Sequence, residues 1–166
     1  TNNSYNSVTV KWNKISGADG YKVTRAESAD GAYKTVKTVK DYDIVSYTDT
    51  GLSVGKTYYY KVYAYRSMDD ENVKGAKSAA AAIKAVPGAT TVKAEAAGGT
   101  QIKLTWSKVS LPSKDSGYIV YQQTGGAWKK IKTCNNKTTS YTVKGLTAGT
   151  KYTFRVAAYV KSGGQV

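Results

Sequence analysis

Two stretches of this chain carry nearly the same text 94 residues apart. "VTVKW" (8–12) aligns with "IKLTW" (102–106), so that Trp12 meets Trp106, and "SYTDTGLSVGKTYYYKVYAY" (46–65) aligns with "SYTVKGLTAGTKYTFRVAAY" (140–159). Between these anchors "ADGYKVTR" matches "DSGYIVYQ" once three residues are inserted near Leu111 and Pro112, and an insertion there marks a loop between strands. Such self-similarity means one structural unit written twice. Each copy must then close its own core, and the 166 residues fit two small domains.

Within each copy the apolar residues alternate. Val8, Val10 and Trp12 are followed by Tyr21 and Val23, then by Tyr58, Tyr60, Val62 and Ala64; the second copy has Ile102, Leu104, Trp106, then Tyr118, Val120, then Tyr152, Phe154, Val156, Ala158. A period of two places these side chains on one face of half-buried strands. Short strands punctuated by turn residues predict an all-β sandwich in each copy. The composition agrees, being rich in Tyr, Val, Thr, Lys and Gly and poor in Pro and Phe. The copies join at "AIKAVPGAT", where Pro87 and Gly88 make a short connection that restricts hinge motion. The expected domains are residues 1–86 and 87–166.

Trp12 and Trp106, the pairs Gly20-Tyr21 and Gly117-Tyr118, and the runs Leu52, Gly55, Tyr58 and Leu146, Gly149, Tyr152 together resemble fibronectin type III modules in tandem. The nearest likeness is to the Lys- and Tyr-rich kind found in secreted and surface proteins of Gram-positive bacteria. The resemblance implies two immunoglobulin-like sandwiches whose structural core includes Trp12, Tyr58, Trp106 and Tyr152. It further implies that Tyr58 and Tyr152 form tyrosine corners, with the ring inside and the hydroxyl bonded to nearby backbone.

Five tyrosines crowd residues 51–65. Tyr58 and Tyr60 have the inward parity, whereas Tyr59, Tyr63 and Tyr65 have the outward one and are expected in a row beside Lys22 and Thr24. Such a row can stack on sugars or anchor a protein, or it can simply pack across neighbouring strands. Packing is the favoured reading, since the second copy has Thr153, Ala157 and Tyr159 there.

Thr1 aligns with Glu95, so the first copy is expected to lack part of strand A, while "DDENVKGAKSAAAAIKAV" supplies its strand G. The second copy reaches only "YVKSGGQV" and is expected to lack strand G. An unpaired edge exposes backbone donors and acceptors, which predicts a parent protein longer at both ends, or another chain that lends a strand.

The chain has no histidine, so no Ser-His, Cys-His or histidine-metal arrangement can be built, and no catalytic, cofactor or metal site is expected. The acidic run "MDDEN" (68–72) lacks the alternation that wraps a cation and reads as a solvated loop tip. "NNS" (2–4) and "NKTT" (136–139) satisfy the glycosylation rule, which matters only for a eukaryotic source. Cys134, the single cysteine, aligns with Lys40 and is expected in a turn as an incidental thiol.

Charge is uneven. Residues 1–86 carry 13 basic and 9 acidic groups, a net of +4, whereas residues 87–166 carry 12 and 2, a net of +10. Lys93, Lys103 and Lys144 are expected outward together, either as solvated groups that protect a sheet or as a patch for anionic wall polymers, acidic glycans or lipid headgroups, and proteins are a further possible partner class for the chain. With only Arg25, Arg66 and Arg155 among 25 basic residues, nucleic acid is a poor fit. No apolar run reaches transmembrane length. The expected role is a non-catalytic spacer, presentation and interaction module of a longer extracellular protein; the alternative is a carbohydrate- or wall-polymer-binding module beside a secreted hydrolase.

Overall fold

The computed structural model describes residues 1–68 and 71–161, with the side chains of residues 2 and 3 left aside. It forms two compact units, Thr1–Ala85 and Val86–Val166. Strands make up all the regular structure of the described residues.

In the first unit β1 (Asn2–Ser4), β2 (Ser7–Lys11) and β5 (Ser46–Asp49) form one antiparallel sheet in the order β1-β2-β5. The facing sheet has the order β4-β3-β6-β7, from β3 (Gly20–Ala26), β4 (Lys34–Val39), β6 (Thr57–Met68) and β7 (Glu71–Lys74), with β8 (Ala81–Lys84) pairing the front half of β6. The last strand expected for this copy is thus split in two. Val8, Val23, Leu52, Tyr58, Tyr60 and Ala85 fill the space between the sheets. Burying one such aliphatic side chain contributes about 1.5–3 kcal/mol.

In the second unit β9 (Val92–Ala96), β10 (Ile102–Trp106) and β13 (Ser140–Val143) pair in the order β13-β10-β9. They face β12-β11-β14, built from β11 (Ser116–Thr124), β12 (Ala127–Asn135) and β14 (Phe154–Val160). Leu104, Trp106, Tyr118, Val120, Cys134, Val143 and Val156 form its core.

The repeat extends to irregularities. A bulge falls between Val23 and Thr24 and again between Val120 and Tyr121, at the same point of the match. Gly20 and Gly117 stand at the start of the corresponding strands, the first and second residue respectively, where nothing else fits: a Cβ would come within 2.1 Å of the Val39 carbonyl oxygen and 2.0 Å of the Cys134 carbonyl oxygen. Trp12 tilts against Tyr21 at 5.4 Å between ring centroids and Trp106 against Tyr118 at 5.7 Å. Both indole N–H groups are buried with no hydrogen-bond partner, so packing alone holds the rings.

Two expected core residues are less enclosed than their counterparts. Trp12 is half-buried where Trp106 is 6% exposed. The cause is the edge of β2: β1 pairs with it only as far as Val8, with Thr1 bonding Thr9, whereas β9 runs alongside Trp106. Tyr152 is likewise half-buried where Tyr58 is 4% exposed. Tyr58 lies within β6 opposite Ile83 of β8, but Tyr152 precedes β14, whose second edge has no partner strand among the described residues. Residues 162–166, where the absence of strand G was inferred, lie outside the described residues.

Candidate functional site

The hydroxyl caps come first, because they fix strand β6 and its tyrosines. Tyr58 Oη accepts the Ser53 N–H at 2.9 Å, and Tyr152 Oη accepts the Thr147 N–H at the same distance. Both are the corner geometry that the resemblance implied. Tyr21 and Tyr118 repeat the device on the neighbouring strands, accepting the N–H groups of Ile15 and Val109.

The outer tyrosine row differs from expectation. Tyr59 is half-buried, but Tyr63 and Tyr65 are only 8% and 7% exposed. The Tyr65 ring lies over Gly20, its register partner, with its hydroxyl 3.5 Å from the Val39 carbonyl oxygen, and Lys22 lies over the ring. Lys77 covers Tyr63. The missing side chain at Gly20 is what lets Tyr65 lie flat, and a ring lying flat and covered offers no open face to a ligand. The expected open row of three rings is therefore corrected to one half-buried ring, Tyr59.

Lys93, Lys103 and Lys144 are all exposed. The register sets Lys103 between Glu95 and Thr142, and Thr105 between Lys93 and Ser140. Glu95 thus sits directly opposite Lys103, a carboxylate inside the patch that parity counting of lysines passed over.

Cys134 is a correction. It is a core residue, 7% exposed, and not a turn residue. Cys134 pairs with Tyr118 as Val39 pairs with Tyr21, because the hairpin before it is two residues shorter than its counterpart and moves the match by one position from Lys40. Burial pushes its thiol pKa up.

One polar cluster has no counterpart in the pattern. Asp49, 4% exposed, accepts hydrogen bonds from Tyr60 Oη at 2.8 Å and Arg25 Nη1 at 2.7 Å. Burial first, and the Asp49 bond second, push the Tyr60 hydroxyl pKa well above its ordinary value. The second unit has Val143, Phe154 and Gln122 at these positions. The alternating pattern hid the cluster, since Asp49 ends its strand and Tyr60 scores as an aromatic.

Asp69 and Asp70 of the acidic run lie outside the described residues, and Glu71 is exposed. No group of three His, Cys, Asp or Glu capable of holding a metal occurs among the described residues. The Asn136 amide donates to the Pro112 carbonyl oxygen and to Ser116 Oγ, tying two loops together. A cleft of about 600 Å³ opens in the first unit between Val10, Trp12 and Ile15 on one side and Val62 and Ala79 on the other. No helix of the described residues is long and apolar enough to cross a membrane.

This geometry defines an all-β protein built from sandwich-like sheets. Residues 86–165 match the family model described as the fibronectin type III domain. Among solved structures, the chicken CNTN1 FN1-FN3 domains match at 22% identity over 96% of this chain, with a TM-score of 0.45, and a two fibronectin type-III domain segment from chicken tenascin matches at 18% over 97%, with a TM-score of 0.43. The chain covers 59% of the first and 88% of the second. Fibronectin type III domains are in general non-catalytic structural and interaction modules of multidomain proteins.

Proposed function

We propose that the chain is two fibronectin type III domains in series, residues 1–86 and 87–166, serving as a non-catalytic spacer, presentation and interaction segment of a longer secreted or surface protein of the Gram-positive bacterial kind. In this reading the first domain lacks part of strand A within this sequence and the second lacks strand G. The supporting observation is that each unit surrounds a core of its own, with a tyrosine hydroxyl tied to the same turn in both. Function then comes from spacing and surface, not from bond chemistry.

Calorimetry of the 166-residue chain tests the arrangement. Two transitions are expected, with Tyr58→Phe lowering one and Tyr152→Phe the other. A single transition moved by both substitutions overturns it. For the spacer role, an unrelated rigid pair of equal length should preserve display of the neighbouring domains in the parent protein, and loss of display counts against it.

A second reading, retention of carbohydrate or an anionic wall polymer beside a secreted hydrolase, draws on the exposed Lys93, Lys103 and Lys144 in a unit of 12 basic and 2 acidic residues. Of Tyr59, Tyr63 and Tyr65, only Tyr59 has ring surface to add. Retention on wall polymer should fall with salt and fall further in a Lys103→Ala, Lys144→Ala variant.

A further inference from the structure

Arg155 projects from the outer face of β14, and its guanidinium carbon lies 4.6 Å from the ring centroids of both Tyr121 and Trp128. Three strands supply this group. Tyr121 of β11 stands opposite Arg155 in the register and opposite Lys130 of β12 on its other side, while Trp128 stands opposite Gln123 two pairs along. The bulge after Val120 sets this register, so the row Lys130, Tyr121, Arg155 follows from the fold itself.

Arg155 is exposed, the two rings are half-buried, and among the described residues the guanidinium forms no ion pair and no hydrogen bond. Stacking on aromatic faces satisfies the cation but leaves its N–H donors unused and holds them in one plane. Arg25 of the first unit is used differently, being spent on Asp49. At the place equivalent to Arg155, Lys61 lies 4.4 Å from the Tyr33 ring, so a cation on an aromatic recurs in both copies. Only the second copy has the planar fork, a second ring and a surrounding unit with 2 acidic residues.

We propose that Arg155, Tyr121, Trp128 and Lys130 form a binding site for an acidic saccharide, with the carboxylate of a uronic acid unit on the Arg155 fork. A carboxylate accepts two parallel N–H bonds from a guanidinium. Each flanking ring gives one face to Arg155, and its remaining half-buried surface meets the C–H groups of a pyranose; Lys130 stands on the far side of Tyr121 for the next charge of a repeating polymer. A phosphopeptide reader would need an arginine cluster, whereas Arg155 is the unit's only arginine. The site is separate from the Lys93, Lys103 and Lys144 face, which lies on the other sheet.

The test titrates the whole chain with oligogalacturonate and with its methyl-esterified form, reading tryptophan fluorescence and the Arg155 side-chain N–H signal. Trp106 packs inside its unit but Trp12 is half-buried, so fluorescence is read in a Trp12→Phe background, where Trp128 is the responsive indole. Binding of the acid form alone is expected, with Arg155→Lys weakening it about tenfold through loss of the fork while charge is kept, and Trp128→Ala weakening it as well. Lys61→Ala and the lysine-face pair should leave the Arg155 signal responsive. Equal binding by Arg155→Lys with its thermal transition unchanged overturns the proposal. So does equal binding of the esterified form, no binding at all, or preference for inorganic phosphate or a phosphoserine peptide.

Discussion

Tyr60 donates its hydroxyl proton to Asp49 at 2.8 Å in the interior of the first unit, and Arg25 meets the same carboxylate oxygen. The second unit fills these positions with Phe154, Val143 and Gln122. The same sandwich therefore tolerates either a bonded polar cluster or an apolar one. A half-built cluster is the costly state, because it leaves a buried group unpaired. Asp49→Ala should destabilise the first unit by about 2–3 kcal/mol. The triple change Arg25→Gln, Asp49→Val, Tyr60→Phe should recover most of that loss. Urea unfolding of the three proteins checks it, and a triple variant no better than Asp49→Ala counts against the account.

Alkaline pH should act on the same cluster. The Tyr60 pKa in the fold is raised above the unfolded value of about 10. A group raised in this way contributes stability that is intact below pH 10 and is lost as pH climbs toward the folded value. Tyr47 and Tyr33 are also raised, chiefly by burial, and belong to the same unit. In the second unit the raised Cys134 has the same sign, but Tyr152 is lowered, first by the Thr147 N–H bond, and so gains stability as pH rises. The transition of the first unit should therefore fall more steeply between pH 10 and 12, and Tyr60→Phe should flatten that slope. Melting curves over this range read both effects.

The repeat and its alternation made the two strand-built units legible, because buried strands must place apolar groups at every second position whatever the rest of the surface does. The hydroxyl bonds of Tyr58 and Tyr152 follow from the family resemblance and not from the alternation, which gives only their inward parity. Parity failed where a second strand decides exposure. Tyr65 has outward parity, yet it is covered because glycine stands opposite it. Cys134 was misplaced because the loop insertion and the shorter hairpin together leave this strand one position off the 94-residue match, and only pairing with Tyr118 restores the register. The Arg155 group was not legible at all, since it draws on three strands in one row.

Gly20 and Gly117 should be the least replaceable positions of the two units. The Cβ of an alanine would fall inside the contact distance of a backbone oxygen on the neighbouring strand, and that oxygen cannot swing aside as a side chain can. Gly117→Ala should cost about 3 kcal/mol or more as the pairing of Tyr118 with Cys134 is forced apart. Gly20→Ala should cost a similar amount in the first unit and should also lift Tyr65 off the sheet. Each substitution should lower one calorimetric transition and leave the other in place, and an unshifted pair would contradict the close approach.

The outer tyrosines give the sharpest separation between packing and ligand roles. Tyr65→Ala removes a ring that is 7% exposed and uncovers the backbone at Gly20, so it should destabilise the first unit by about 2–4 kcal/mol. Tyr65→Phe keeps the ring and loses only a hydroxyl 3.5 Å from its acceptor, so it should cost under about 1 kcal/mol. Tyr59→Ala, at a half-buried position, should cost less than Tyr65→Ala. Chemical denaturation ranks the three. If Tyr65→Ala unfolds at the same urea concentration as the parent while Tyr59→Ala does not, the flat, covered ring is no part of the structure's support, and the row is open to a ligand after all.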